Sequence, residues 1–330
     1  MKLLPTILAT LLSTVALAQP KVIFDTDFGN DADDLGALTI LNNLENQGEC
    51  EVLAVMSYFP ETNVIAAIDA VNLFYGNQFK LAISSRGYYD TDFAYNASIA
   101  NKFKSRQTND SVPLCTDLYR ELLAEAEDNS ITIIVVGPLG NIRDLYQSPA
   151  DEISPLTGAE LLERKVARFS IMGGGYPSMK GEWNFNGNQP TTTKFILEHL
   201  PHDLGFVDYK VGNSVKIGDE FNSLKGDSPL KTGFAHFSAN ASWMKDLYKG
   251  LILDNASYDQ IALYLGIYGE DSPYYDMIAG ERCTAVDSGD NQWIKDDKSN
   301  HKYMRLKSDI APFREEICRL MTLGLPTTSN

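Results

Sequence analysis

Six short apolar runs recur along the sequence, and helical spacing follows each, directly or after a loop. Residues 21–25 (Lys-Val-Ile-Phe-Asp) read as a first buried strand. Asp31 to Asn46 then places Leu35, Leu38, Leu41 and Leu44 on one helical face. Residues 51–56 and 79–83 read as further strands around a helix over 61–76, which carries Ile65, Ile68, Val71 and Phe74. After an aromatic, polar stretch (87–112), a helix over 116–127 precedes Ile131–Val136. Five of the six residues in that run are β-branched and apolar, the sixth being Thr132. A helix from near Leu139, a strand over 166–172, a helix around 191–200 and a strand near 205–211 continue the alternation. Helical segments over 230–252 and 257–267, a loop-rich stretch over 268–302 and a final helix near 309–322 complete the chain.

Alternation of this kind predicts βαβ units, hence a Rossmann-like, mostly parallel sheet with helices on both faces. No linker, repeat or low-complexity tract interrupts residues 19–330, so they read as a single α/β domain. Ligands of such sheets bind at the carboxyl ends of the strands. Functional residues are therefore expected just after Phe24, Met56, Val136 and Met172.

The chain has 44 acidic and 28 basic residues and a formal charge of −16. That balance argues against a nucleic-acid polymer or an anionic membrane as partner, since both need a basic footprint. Residues 1–18 combine an early Lys2, an apolar run from Leu3 and a small-x-small exit at Ala16-Leu17-Ala18. These are the parts of a signal peptide, and the run is short of the roughly 20 residues a membrane span needs. Cleavage after Ala18 would leave a secreted chain of charge −17, with 27 basic and 44 acidic groups. In that setting Cys50, Cys115, Cys283 and Cys318 predict two disulfides, with the pairing open. Asn-x-Ser sequons at Asn96, Asn109, Asn240 and Asn255 fit a glycosylated surface.

The first predicted strand runs into Asp25-Thr-Asp27-Phe-Gly29-Asn-Asp31-Ala-Asp33-Asp34. Five carboxylates at one strand-to-helix turn repel one another unless a cation or a helix dipole compensates. A helix cap accounts for one or two of them, and a hard cation for the set. The EF-hand pattern fails, because Gly29 is fifth from Asp25 and Gly36 is twelfth. The Asp-x-Asp of haloacid-dehalogenase-type phosphohydrolases fits Asp25-Thr-Asp27 loosely and is the alternative reading, with magnesium beside it.

Asp-Thr-Asp-x-Gly followed closely by Asp33-Asp34 resembles the amino-terminal signature of the inosine–uridine-type nucleoside hydrolases, with two extra residues before the pair. Three more landmarks keep the family's order. Val135-Val136-Gly137-Pro138-Leu139-Gly140-Asn141 resembles the strand whose last carbonyl helps hold the metal. Ile171-Met172-Gly173-Gly174-Gly175 followed by Glu182-Trp183-Asn184-Phe185 resembles the Met-Gly-Gly…Glu-Phe-Asn segment, and Ser257-Tyr258-Asp259-Gln260 the carboxy-terminal Asp. The resemblance implies one Ca2+ ion held by Asp27, Asp34, the Val136 carbonyl and Asp259. It implies Asp27 as general base and a nucleoside as the small-molecule substrate. Asp33, Glu182, Asn184 and Asp259 would grip the ribose hydroxyls, with Asp25 behind them. Family members are often oligomeric, which leaves a homo-oligomer open here.

The chain departs from that pattern at Tyr258, where well-known members carry a His that protonates the leaving base. Tyr258 or His301 is then the candidate acid, and Trp183 a candidate to stack on the base. The Asn usually found after the second strand has only Ser57 and Asn63 as weak counterparts, and the loop after Gly175 is short. A third reading is a secreted, non-catalytic ligand-binding protein of the same fold.

Overall fold

The computed structural model describes residues 19–86, 91, 93–187 and 190–327. The expected signal peptide, residues 1–18, lies outside the described residues. In chain order the first half runs β1 (Lys21–Thr26), α1 (Ala32–Gln47), β2 (Glu51–Ser57), α2 (Val64–Phe74), β3 (Lys80–Ile83), α3 (Asn96–Ala100), α4 (Cys115–Glu125), β4 (Ile131–Val135), α5 (Gly140–Gln147), α6 (Gly158–Lys165) and β5 (Val166–Met172). Next come β6 (Ser178–Met179), α7 (Trp183–Asn186), α8 (Thr192–His199), β7 (Asp203–Val207), α9 (Tyr209–Ser214), β8 (Lys216–Ile217) and α10 (Pro229–Asn240). The chain closes with β9 (Asn255–Ala256), α11 (Tyr258–Tyr268), β10 (Tyr275–Ile278), β11 (Glu281–Ala285), β12 (Asn291–Lys295), β13 (His301–Leu306) and α12 (Ala311–Thr322).

Eight strands form the central sheet in the order β10-β13-β7-β5-β4-β1-β2-β3. All neighbours pair in parallel except the edge strand β10, which is antiparallel to β13. The order reverses direction at β1, which sits between β2 and β4 and opens a crevice at its carboxyl end. Because side chains alternate along a strand, β1 serves both layers. Val22 and Phe24 join the core beneath α1, α2, α10, α11 and α12, while Ile23 joins the core beneath α4, α5, α6 and α8. The predicted fold class therefore holds: one α/β domain with helices on both faces of a mostly parallel sheet.

Several elements differ from expectation for local reasons. The strand expected near 205–211 ends at Val207, because the Asp208 carboxylate accepts from the Val211 N–H at 2.9 Å and starts α9. The helix expected over 230–252 ends at Asn240. Helix α6, which sequence reading leaves unassigned, starts at a capping box between Thr157 and Glu160. The stretch expected to be loop, 268–302, holds β10, β11 and β12; β11 and β12 form a small second sheet with β6.

The two expected disulfides are absent: all four cysteines are free thiols. They stand at a strand entry (Cys50), a helix start (Cys115), the small sheet (Cys283) and the last helix (Cys318), and serve as packing residues. Burial pushes the Cys50 and Cys283 thiols up to about 12. Among the described residues, no helix is long and apolar enough to cross a membrane.

Candidate active site

A cavity of about 770 Å3 opens at the carboxyl ends of β1, β4 and β5. Asp27, Asp33 and Asp34 come to it from the β1–α1 turn, Val136 from the end of β4, Met172 from β5 and Asp259 from the start of α11. Glu182, Trp183, Asn184 and Tyr258 also line it. Every residue assigned to the site from sequence as ligand, base or substrate contact thus reaches one cavity. The loop that makes this convergence feasible depends on two glycines. Gly29 adopts φ +114°, in the left-handed region, and a Cβ there would strike the Asn96 amide. A Cβ on Gly137 would lie 2.9 Å from the Asp27 backbone nitrogen, so only glycine lets β4 approach the Asp27 loop this closely.

Three buried carboxylates, Asp33, Asp34 and Asp259, bring oxygens within 4.8 Å of one another. Burial, then repulsion by neighbouring carboxylates, holds all three far above the usual carboxylate range. Burial likewise pushes Asp27 up to about 7, opposed by the Trp183 N–H, which donates to Asp27 Oδ2 at 2.9 Å. Among the described residues, no Lys or Arg makes an ion pair with these four groups. An all-oxygen donor set of this density, lacking a protein cation, fits a hard divalent metal.

The ligand set differs in emphasis from the one the resemblance implies. Asp33, assigned to the ribose, joins Asp34 and Asp259 in the tightest group, while Asp27 lies beside it and takes the Trp183 hydrogen bond. The Val136 carbonyl accepts from Asn184 Nδ2 at 2.7 Å and keeps a second lone pair for the cavity. Glu182 accepts from three backbone N–H groups, those of Gly174 (2.8 Å), Phe185 (2.9 Å) and Asn184 (3.1 Å). Its carboxylate therefore works first as the cap of α7. Asp25 points to the other layer, where Tyr119 Oη donates to it at 2.8 Å and Asn141 Nδ2 at 3.1 Å. Burial pushes it up to about 7 against those bonds.

His301 is not a site residue. It is 1 % exposed, its Nδ1 accepts from the Cys283 N–H at 3.2 Å, and burial pushes it down to about 4. Neither Ser57, which donates to the Phe59 carbonyl, nor Asn63, at the start of α2, lines the cavity. Tyr258 does line it, stacked on Tyr209 with centroids 5.4 Å apart.

Other lining residues escaped sequence reading. Asn255 was read as a sequon, yet it is buried and donates to Asp31, whose carboxylate also caps α1. Its position three residues before Tyr258-Asp259 was the available signal. Asn96 is buried too, donating to Glu61 at 3.0 Å, so these two sequons are structural asparagines in the folded chain. Tyr209 and Trp243 fell within elements whose ends were misplaced, and nothing in the pattern marked Lys216 at the rim.

No protein-family model matches the sequence, and no curated protein matches it. Solved structures do. The fold is similar to a plant nucleoside hydrolase, with a TM-score of 0.65 at 17 % identity over 92 % of this chain and 99 % of that one. It is also similar to an inosine-guanosine nucleoside hydrolase, with a TM-score of 0.62 at 16 % identity over 92 % and 98 % of the two chains. A type III effector protein, XopQ, solved in complex with adenosine diphosphate ribose, gives a TM-score of 0.57 at 14 % identity over 93 % and 92 %. The chain therefore has the nucleoside hydrolase fold.

Proposed function

We propose that the protein is a secreted, calcium-dependent ribonucleoside hydrolase of inosine–uridine type, cleaving the N-glycosidic bond to free base and ribose. The observation that carries this reading is the convergence of buried Asp33, Asp34 and Asp259 beside Asp27 on one cavity at the crevice of the sheet. Asp27, Asp33, Asp34, Asp259 and the Val136 carbonyl are the groups that would hold the ion. When bound, Ca2+ supplies a Lewis acid and a template for sugar hydroxyls. Asp27 takes the proton of the attacking water, and the Trp183 N–H fixes the orientation of its carboxylate. Asn184 and Asp33 orient the ribose. The surrounding carboxylates stabilise the positive charge that builds on the sugar as the C–N bond breaks.

Ribose release from inosine or uridine tests this. Activity should vanish on calcium chelation, return with calcium, and fall by at least about a thousandfold in Asp27→Asn, where the base is lost. Ribose release that survives both treatments refutes the reading. A non-catalytic role is the second reading, favoured by Tyr258 standing where a leaving-group acid is expected and by the XopQ likeness. Calorimetric binding of nucleosides or ADP-ribose without turnover would select it. The phosphohydrolase alternative would need a basic group to hold phosphate, and the cavity offers one cation among its described lining residues, the exposed Lys216.

A further inference from the structure

The turn that joins β1 to α1 carries site carboxylates at both of its ends. Asp27 stands where the strand stops, and Asp33 and Asp34 lie in the first turn of the helix. Five residues, Phe28 to Ala32, separate Asp27 from Asp33. Free backbone of that length has many ways to span its ends, and each sets the carboxylates at a different separation. The apex residue is Gly29, the residue type with the most conformational freedom to lose.

A second segment of the chain selects one arrangement. Tyr95, at the entry to α3, is fully buried, and its hydroxyl bridges the apex of the turn. Tyr95 Oη accepts from the Gly29 N–H at 3.2 Å and donates to the Asp31 carbonyl at 3.0 Å. A hydroxyl can do both, being donor and acceptor at once. The Tyr95 ring meets Phe28 edge to face, with centroids 5.3 Å apart. Its neighbour Asn96 donates to the Phe28 carbonyl at 3.4 Å and to Glu61 Oε2 at 3.0 Å, which ties the turn to the loop after β2. From the far side, Asn255 on β9 donates to the Asp31 carboxylate, which also accepts from the Asp33 N–H at 3.4 Å. Asp31 is thereby held at three points, through its carbonyl and twice through its carboxylate.

We propose that Tyr95 and Asn255 are positioning residues for the cation site: they lock the β1–α1 turn so that Asp27 and the Asp33-Asp34 pair stand in receiving geometry before an ion arrives. The inference rests on the calcium reading above and deepens it. Neither residue is counted among the ion's ligands; both act through the backbone and the carboxylate of Asp31. A site whose ligands are already ordered loses less freedom on binding, so releasing the turn should appear as weaker ion affinity.

The test is calorimetric titration of Ca2+ into the chelator-stripped full chain, paired with urea midpoints of the same calcium-free samples. Tyr95→Phe keeps the ring and its packing and removes only the bridging hydroxyl. It should weaken Ca2+ binding by about tenfold or more. Tyr275→Phe is the reference for a buried hydroxyl lost elsewhere: Tyr275 Oη donates to the Gly269 carbonyl at 2.5 Å, and Tyr275 does not line the cavity. It should lower the urea midpoint and leave Ca2+ affinity unchanged. If Tyr95→Phe binds Ca2+ as the parent protein does, or if both variants weaken binding alike, the inference is overturned and the calcium reading stands. Should Tyr95→Phe fail to fold, Asn255→Ala decides in the same titration, with weaker binding supporting the inference and parental affinity overturning it. A parent protein that binds no Ca2+ overturns both.

Discussion

Gly137 sets the distance between the end of β4 and the Asp27 loop, because a single added methyl would sit 2.9 Å from the Asp27 backbone nitrogen. Gly137→Ala is therefore expected to displace Asp27 by a fraction of an ångström and lower kcat by about a hundredfold, with thermal stability reduced far less in proportion. Steady-state kinetics paired with a melting curve checks this. His301 permits a different kind of prediction. Its folded-state value of about 4 lies below the ordinary 6.5, so the unfolded chain binds the proton more readily. Stability from the buried neutral ring is fully present above pH 6.5 and is lost as pH falls toward 4, by up to about 3 kcal/mol at 1.36 kcal/mol per unit. Urea midpoints measured from pH 7.5 to 4 should fall less steeply in His301→Gln than in the parent protein.

Among elements, those that carry the site were legible because they are buried on both faces. Residues 21–25, 131–136 and 166–172 are mostly apolar runs, and the strands β1, β4 and β5 match them within a residue at each end. Strands β10 to β12 were not legible, since each is only partly buried and carries charged and apolar residues in no strict alternation. Nor could sequence place the end of β7, which is decided by a cap. Asp208 accepts from the N–H groups of Val211 and Tyr176, and it thereby fixes both α9 and the loop after Gly175. Asp208→Ala should cost about 1–2 kcal/mol of stability. It should also raise KM, because α9 carries Tyr209 into the cavity. Denaturant unfolding and kinetics read the two effects separately.

At the scale of the whole molecule, the proposed cation among the buried carboxylates would make folding and cation binding one equilibrium. Calcium should raise the melting temperature in a concentration-dependent way, by an amount equivalent to about 2.7 kcal/mol at a hundredfold excess over Kd, and a chelator should reverse it. Differential scanning calorimetry with Ca2+, Mg2+ and chelator gives the comparison. The cysteines were misread because an oxidising compartment was inferred first and pairing from it, whereas the packed core fills each position with a small apolar group. Thiol titration in denaturant without reductant should find four reactive groups, and two disulfides would leave none.

The alternation of β1 has a further effect on which substitutions the protein can accept. Thr26 turns toward α1 and donates to Asp34, while Asp25 turns the other way, to Tyr119 on α4 and Asn141 on α5. The strand end is thus bolted to both layers one residue apart. Tyr119 and Asn141 donate to Asp25, and none of the three lines the cavity, yet natural variation at either should be as restricted as at Asp27 itself. Across a set of functional variants, intolerance to substitution would mark a path running from the cavity through the sheet to the opposite helices.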